Sequence, residues 1–167
     1  MQYQANGAYM NLFIRKKADI FMDRYNVLDD SGRSAYSVDG KLVRYFGKLE
    51  MRDRAGIKVL DISKGANPFF ASYSIADNGE EKASVRQKFK VRPHFDFTYG
   101  GKTFEITGSI RACDFAVMDG ENIAARIRKR SLRWGDTYVL SIQDLDLAPV
   151  FCSMTVCLDN ALFHNLL

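Results

Sequence analysis

Residue types that do chemistry are thin in this chain, and their spacing decides which kinds of chemistry remain. The 167 residues include only two histidines. His94 follows Pro93 at a strand edge or turn, and His164 ends an apolar stretch near the C-terminus; neither has a Ser or Cys beside it in a nucleophile setting. Cys113, Cys152 and Cys157 show no CxxC or metal-ligand spacing. On a helix, Cys152 and Cys157 would point about 140° away from each other, so they cannot share a metal. Gly100-Gly101-Lys102 lacks the spacing and following helix of a phosphate-binding loop and reads as a hairpin turn. The expectation is a non-enzymatic protein with no catalytic residue, no metal site and no cofactor.

Charge is the sharper signal. The chain carries 24 Lys+Arg against 20 Asp+Glu, a formal net charge of +4. From Lys82 to Arg133 the balance is 12 against 5, which leaves 12 against 15 for the rest. Arg86, Lys88, Lys90 and Arg92 fall at every second position, and a strand would put all four on one face. Arg126, Arg128 and Arg130 repeat that spacing further on. If the two strands share one side of the fold, the seven cations make a patch for anionic headgroups or phosphates. Otherwise they are solvated strand faces that keep a sheet soluble. Aromatics that could stack bases are sparse among them, so anionic lipid or an acidic protein surface ranks above nucleic acid as the partner.

The elements that must position these cations are strands. From Asn11 to Ile142 the apolar residues recur with period two, interrupted by Gly, Asp and Asn clusters. Tyr25 and Val27 lead to the turn Asp29-Asp30-Ser31-Gly32, after which Ala35 to Val38 runs up to a second turn at Asp39-Gly40. Lys48 to Arg52 and Ile57 to Ile62 flank Asp53-Arg54-Ala55-Gly56, and Phe69 to Ile75 ends at Asp77-Asn78-Gly79. Val85, Phe89 and Val91 alternate with the first cation run; Phe95 to Tyr99, Phe104 with Ile106, Phe115 with Val117, Ile123 to Ile127 and Tyr138 to Ile142 complete the series. Eleven or twelve strands result, joined mostly by short turns.

The halves echo each other. Tyr25 to Gly40 resembles Phe95 to Gly108, Lys48 to Lys64 resembles Cys113 to Lys129, and Ala71 to Ile75 resembles Asp136 to Ile142. The pairs Gly32/Gly101, Gly40/Gly108, Gly56/Gly120 and Tyr73/Tyr138 are offset by 69, 68, 64 and 65 residues. Two equivalent half-barrels in one sheet explain the echo; shared turn grammar in an all-β chain is the other reading.

The C-terminal segment departs from the pattern. Asp146 is placed to cap a helix whose first turn holds Pro149, and the apolar residues from Leu147 to His164 point in every direction. Only Leu147 to Leu158 is free of charge, against about 20 residues for a membrane span, so the helix is expected inside the protein's own core. Its roughly 18 residues would span about 27 Å, the height of a barrel that needs its lumen filled.

In the order of its segments, the chain resembles the LURP-one-related family of the Tubby C-terminal-like superfamily, which in turn resembles phospholipid scramblases. The resemblance is carried by Met10 to Lys41, by the DRAG segment at Asp53 to Gly56, by MDGENIAARIRK at Met118 to Lys129, by SLRWGDTYVLSI at Ser131 to Ile142, and by the apolar helix after it. It covers Met10 to about Phe163, leaving residues 1–9 as an N-terminal extension of a single domain over 10–167. The resemblance implies a twelve-stranded antiparallel closed β-barrel around a central hydrophobic C-terminal α-helix. Tubby relatives bind phosphoinositide headgroups through basic residues of the barrel wall; those positions do not map onto this sequence, so the seven cations rest on charge pattern alone. Unpaired cysteines and an N-terminus without a signal-peptide pattern point to the cytoplasm, at most peripheral to a membrane. A protein-interaction module without lipid affinity is the alternative function, and Asp159 and Asn160 argue against a membrane-embedded scramblase.

Overall fold

Alternation of apolar and polar residues folds this chain into strands whose inward side chains meet around one axis. The computed structural model describes residues 8–43, 45–67, 69–89, 91–92, 94–132 and 135–163, without the side chains of 131 and 132. Twelve strands follow one another: β1 (Met10–Lys16), β2 (Asp23–Leu28), β3 (Ser34–Leu42), β4 (Gly47–Asp53), β5 (Lys58–Lys64), β6 (Ser72–Asp77), β7 (Glu80–Gln87), β8 (His94–Tyr99), β9 (Lys102–Ser109), β10 (Asp114–Asp119), β11 (Asn122–Leu132) and β12 (Gly135–Ile142). Each pairs antiparallel with the next, and β12 closes on β1 through registers such as Leu12 with Leu140. Closure removes the sheet edges that an open meander would expose.

The lumen is filled by α1 (Ala148–Phe163), entered through a single 3₁₀ turn at Leu145–Leu147. Its 16 residues span about 24 Å, and it is buried from Val150 to Asn160. Phe151 packs edge-on against Phe97 and Phe104, with ring centroids 5.2 and 6.1 Å away. Asp144, not Asp146, caps the entry: its carboxylate accepts from the Asp146 N–H at 2.9 Å. By length and composition Leu145–Phe163 could cross a membrane, but here the wall of the barrel covers it.

The expected strand boundaries shift in three places. Asp39-Gly40 is not a turn but lies inside β3, where Gly40 at φ +151 faces Leu49 of β4. Phe69 and Phe70 precede β6 instead of opening it. The strand expected around Val85 to Arg92 begins at Glu80 and ends at Gln87, leaving Phe89 and Val91 outside. The wall ends there: the Lys88 N–H donates to the His94 carbonyl at 2.8 Å and turns the chain back.

The sequence echo becomes a rotation by six strands, half of the barrel. β2, β3, β4, β5 and β6 correspond to β8, β9, β10, β11 and β12. Gly40 and Gly108 play the same part on opposite walls. A Cβ at Gly40 would strike the Lys48 carbonyl and Leu49, and one at Gly108 the Asp114 carbonyl and Phe115. Gly108→Ala is expected to cost about 1–3 kcal/mol from this overlap alone. Gly32→Ala meets open space and should lose only the preference of its φ of +75, about 1 kcal/mol. Urea midpoints of the two variants check the ranking.

Candidate functional site

The structure divides the seven expected cations. Arg126, Arg128 and Arg130 share the outer face of β11, while Ala125, Ile127 and Lys129 face inward. Asp114 of β10 stands 3.8 Å from Arg126 and 3.4 Å from Arg128. In the first run only Arg86 sits on a strand; Lys88 and Arg92 fall beyond the end of β7, and Lys90 lies outside the described residues. β7 and β11 are separated by β8, β9 and β10, about 19 Å along the wall at the usual strand spacing. Asp96, Glu105 and Asp114 occupy the outer face between them, so the two runs do not merge into one patch.

Arg86 borders a cleft of about 440 Å³ over β5, β6 and β7. Hydroxyl and amide groups of Ser63, Ser72, Ser84, Asn67 and Gln87 line it together with Lys64, Phe70 and the carboxylate of Glu81, which accepts from the Ser74 hydroxyl at 2.6 Å. The sequence folds this way locally because small residues alternate outward on three adjacent strands: Ser63 pairs with Ser74, and Ser74 with Ser84. The cross-strand neighbour of Arg86 is Asp96, which is held by Lys88 at 2.9 Å. No ion pair engages Arg86 among the described residues. A guanidinium beside several neutral donors is the donor set an anionic group needs.

A second polar cluster, not anticipated as a site, surrounds the C-terminal end of α1. Asp159 is fully buried; its Oδ2 accepts from the Tyr25 hydroxyl at 2.7 Å and from Lys16 Nζ at 3.1 Å, and its Oδ1 accepts from the Tyr138 hydroxyl. Asn160 Oδ1 accepts from Tyr73 at 2.7 Å and Lys64 Nζ at 2.8 Å. Lys129 binds Asp136 at 2.8 Å and lies over the rings of Tyr138 and Phe163. Lys16, Lys64 and Lys129 each stand 5.3–5.7 Å from the ring centroid of Tyr25, Tyr73 and Tyr138 respectively. The signal for this girdle was Asp159-Asn160 in an otherwise apolar helix, together with an inward Lys that ends β1 and β5 and lies three residues before the end of β11.

The two ends of the barrel differ in kind. Around the C-terminal end of α1 run the connections 17–22, 43–46, 65–71, 88–93 and 110–113; the described ones carry Lys17, Lys88, Arg92 and Arg111 against Asp19. Ile20, Phe21, Tyr45, Phe46, Phe69, Phe70, Phe89, Val91 and Ile110 are exposed there. The other end has tight turns with Asp29, Asp30, Glu121, Asp144 and Asp146 against Arg33 and Arg54. In the sequence Ile20, Phe21, Tyr45, Phe46 and Ile110 fall outside the strand segments, whereas Phe69, Phe70, Phe89 and Val91 read as parts of strands.

Burial pushes the Cys152 and Cys157 thiols up, away from the reactive thiolate. Among the described residues no group of three His, Cys, Asp or Glu side chains could hold a metal. His94 is buried, 3.6 Å from Asp96, and His164 lies outside the described residues.

A closed twelve-stranded antiparallel barrel threaded by its own C-terminal helix defines the class of protein. The family model described as LURP-one-related matches residues 10–159, and the chain belongs to that family. It is similar to the uncharacterized protein YxjI of Bacillus subtilis (strain 168), 26% identical over 157 residues that span 93% of this chain and 96% of the relative.

Two outcomes test the girdle. Asp159→Ala leaves Lys16 and two hydroxyls facing a buried void and should cost about 3–5 kcal/mol in urea unfolding. Tyr25, Tyr73 and Tyr138 are all raised above the ordinary value of 10.0, first by burial and, for Tyr25 and Tyr138, next by the charge of Asp159. The unfolded chain therefore releases these protons near pH 10 while the folded chain retains them. Cys152 and Cys157, raised by burial from 9.0, act in the same sense from about pH 9, so stability is whole below that pH and falls above it. Lys64, lowered by burial, pulls the other way and is outnumbered. Unfolding followed from pH 8 to 11.5 should show the decline, and Tyr25→Phe should flatten it.

Proposed function

We propose that this protein is a non-enzymatic docking module for anionic lipid headgroups, working at the cytoplasmic surface of a membrane. The observation that carries this reading is the Arg86 cleft. Its volume of about 440 Å³ falls in the range of small-ligand sites, and its lining sets Arg86, which no carboxylate engages among the described residues, beside neutral donors, with the lining carboxylate of Glu81 held by the Ser74 hydroxyl. The lumen, which a carrier or an enzyme would use, is occupied by α1. Arg126 and Arg128 are already shared with Asp114, so they are the weaker candidates on the wall.

Sedimentation with phosphatidylcholine vesicles, with and without phosphatidylserine or a phosphoinositide, tests the reading. The protein should pellet with the acidic vesicles and release as salt rises. Arg86→Glu should weaken that binding by about tenfold or more, the worth of one charge-assisted contact, whereas Arg128→Glu should change it little. Equal binding to neutral vesicles, or acidic binding untouched by Arg86→Glu, would sink the assigned site.

A further inference from the structure

Resting on the lipid reading above, we infer that the barrel docks end-on, with the loops around the C-terminus of α1 entering the interface of an anionic bilayer. Nine of the twelve large apolar side chains exposed among the described residues lie at this one end. Ile20 is 84%, Phe69 83% and Phe89 88% exposed, although the core directly beneath is closed. Four consecutive connections each contribute: Ile20-Phe21, Tyr45-Phe46, Phe69-Phe70 and Phe89. This is a ring around the barrel mouth, not one groove for one helix or strand.

Charge selects the occupant. The described rim loops hold four cations and one carboxylate, and that carboxylate, Asp19, is turned inward on its own loop by the Phe21 and Met22 N–H groups at 2.8 and 3.1 Å. The same N–H groups hold it below the usual carboxylate range. The opposite end carries five carboxylates and two cations in its turns, so a negative surface attracts one end and repels the other. Aromatic and aliphatic side chains interleaved with Lys and Arg suit the boundary between headgroups and acyl chains, where the rings leave water and the cations meet phosphates.

Loop packing ties the rim to the headgroup site. Phe70 borders the Arg86 cleft and meets Phe89 edge-on at 6.2 Å, which joins the 65–71 and 88–93 connections into one projection. A headgroup held at Arg86 would lie at the level of the phosphates once Phe69 and Phe89 had entered the interface. The girdle beneath keeps the mouth closed, so docking requires no release of α1.

The test places an environment-sensitive nitrobenzoxadiazole label at Phe46→Cys or Phe89→Cys, and at Ile57→Cys on the opposite end, each in a Cys113→Ser background. With phosphatidylcholine vesicles containing phosphatidylserine, emission should shift to the blue at positions 46 and 89 and stay unchanged at 57. The combined variant Phe21→Ser, Phe46→Ser, Phe69→Ser, Phe89→Ser should melt as the parent does and lose at least about tenfold in vesicle partitioning, given the apolar area it withholds. A shift at 57 instead of 46 and 89 would overturn end-on docking while leaving lipid binding intact. A shift at 46 and 89 with acidic-lipid selectivity unaffected by Arg86→Glu would keep the rim and remove the cleft. No binding to any vesicle would overturn both. Self-association without lipid, abolished by the fourfold variant, would assign the rim to a second copy of the chain and refute the membrane.

Discussion

A wall of twelve strands encloses more space than its own side chains fill, and everything else in this protein follows from how that space is occupied. α1 fills it, and each strand supplies inward residues to meet the helix: Ile14 and Val27 on one side, Phe97 and Ile106 on another. A helix apolar all round has no preferred rotation about its axis. Asp159 and Asn160 supply one. Each finds its donors only when the helix is turned toward Lys16, Tyr25 and Tyr138 on one side and Lys64 and Tyr73 on the other.

That arrangement explains why the repeat is incomplete. Lys64 with Tyr73 and Lys129 with Tyr138 are equivalent under the half-turn of the barrel, on β5–β6 and β11–β12. Lys16 with Tyr25 is not repeated. In the second half Gln87 and Phe95 occupy those positions, paired in register as Lys16 and Tyr25 are. One helix cannot present the same carboxylate to both walls, so the side facing away from Asp159 takes a buried Phe95 in place of a tyrosine. The symmetry of the wall is broken where the asymmetric plug carries its charge.

The ends of the barrel diverge for a related reason. Where α1 enters, tight turns such as Asp29 to Gly32 are closed by their own carboxylates: Asp29 accepts from the Ser31 and Arg33 N–H groups at 2.9 Å. Such turns are polar by construction. At the far end the helix and its girdle already seal the mouth, and the longer connections there carry aromatic side chains that have no core left to enter. Apolar residues left in water around a closed mouth, amid Lys and Arg, are the feature on which the inferred end-on docking rests.

Period-two alternation, the Gly and Asp turns and the 64–69 residue offsets were sufficient for eleven or twelve strands, the antiparallel meander and the central helix, because these depend on local backbone preference and on which residues avoid water. The family resemblance pointed to the same architecture. Strand ends were less legible: Phe89 and Val91 resume the alternation of Ala83 and Val85 after the polar Gln87, yet the wall stops at Gln87, since a strand extends only while a partner strand runs beside it. Charge alternation likewise placed Arg126, Arg128 and Arg130 on one face, a local matter, but whether they join Arg86 depended on three intervening strands and their carboxylates. The Lys and Tyr girdle was hidden because its members lie up to 143 residues apart and meet only at the end of the helix. Sequence alone thus determined the elements and which face of each turns inward; tertiary structure decided which outward faces become neighbours, because closing the barrel sets the spacing between strands that no single strand encodes.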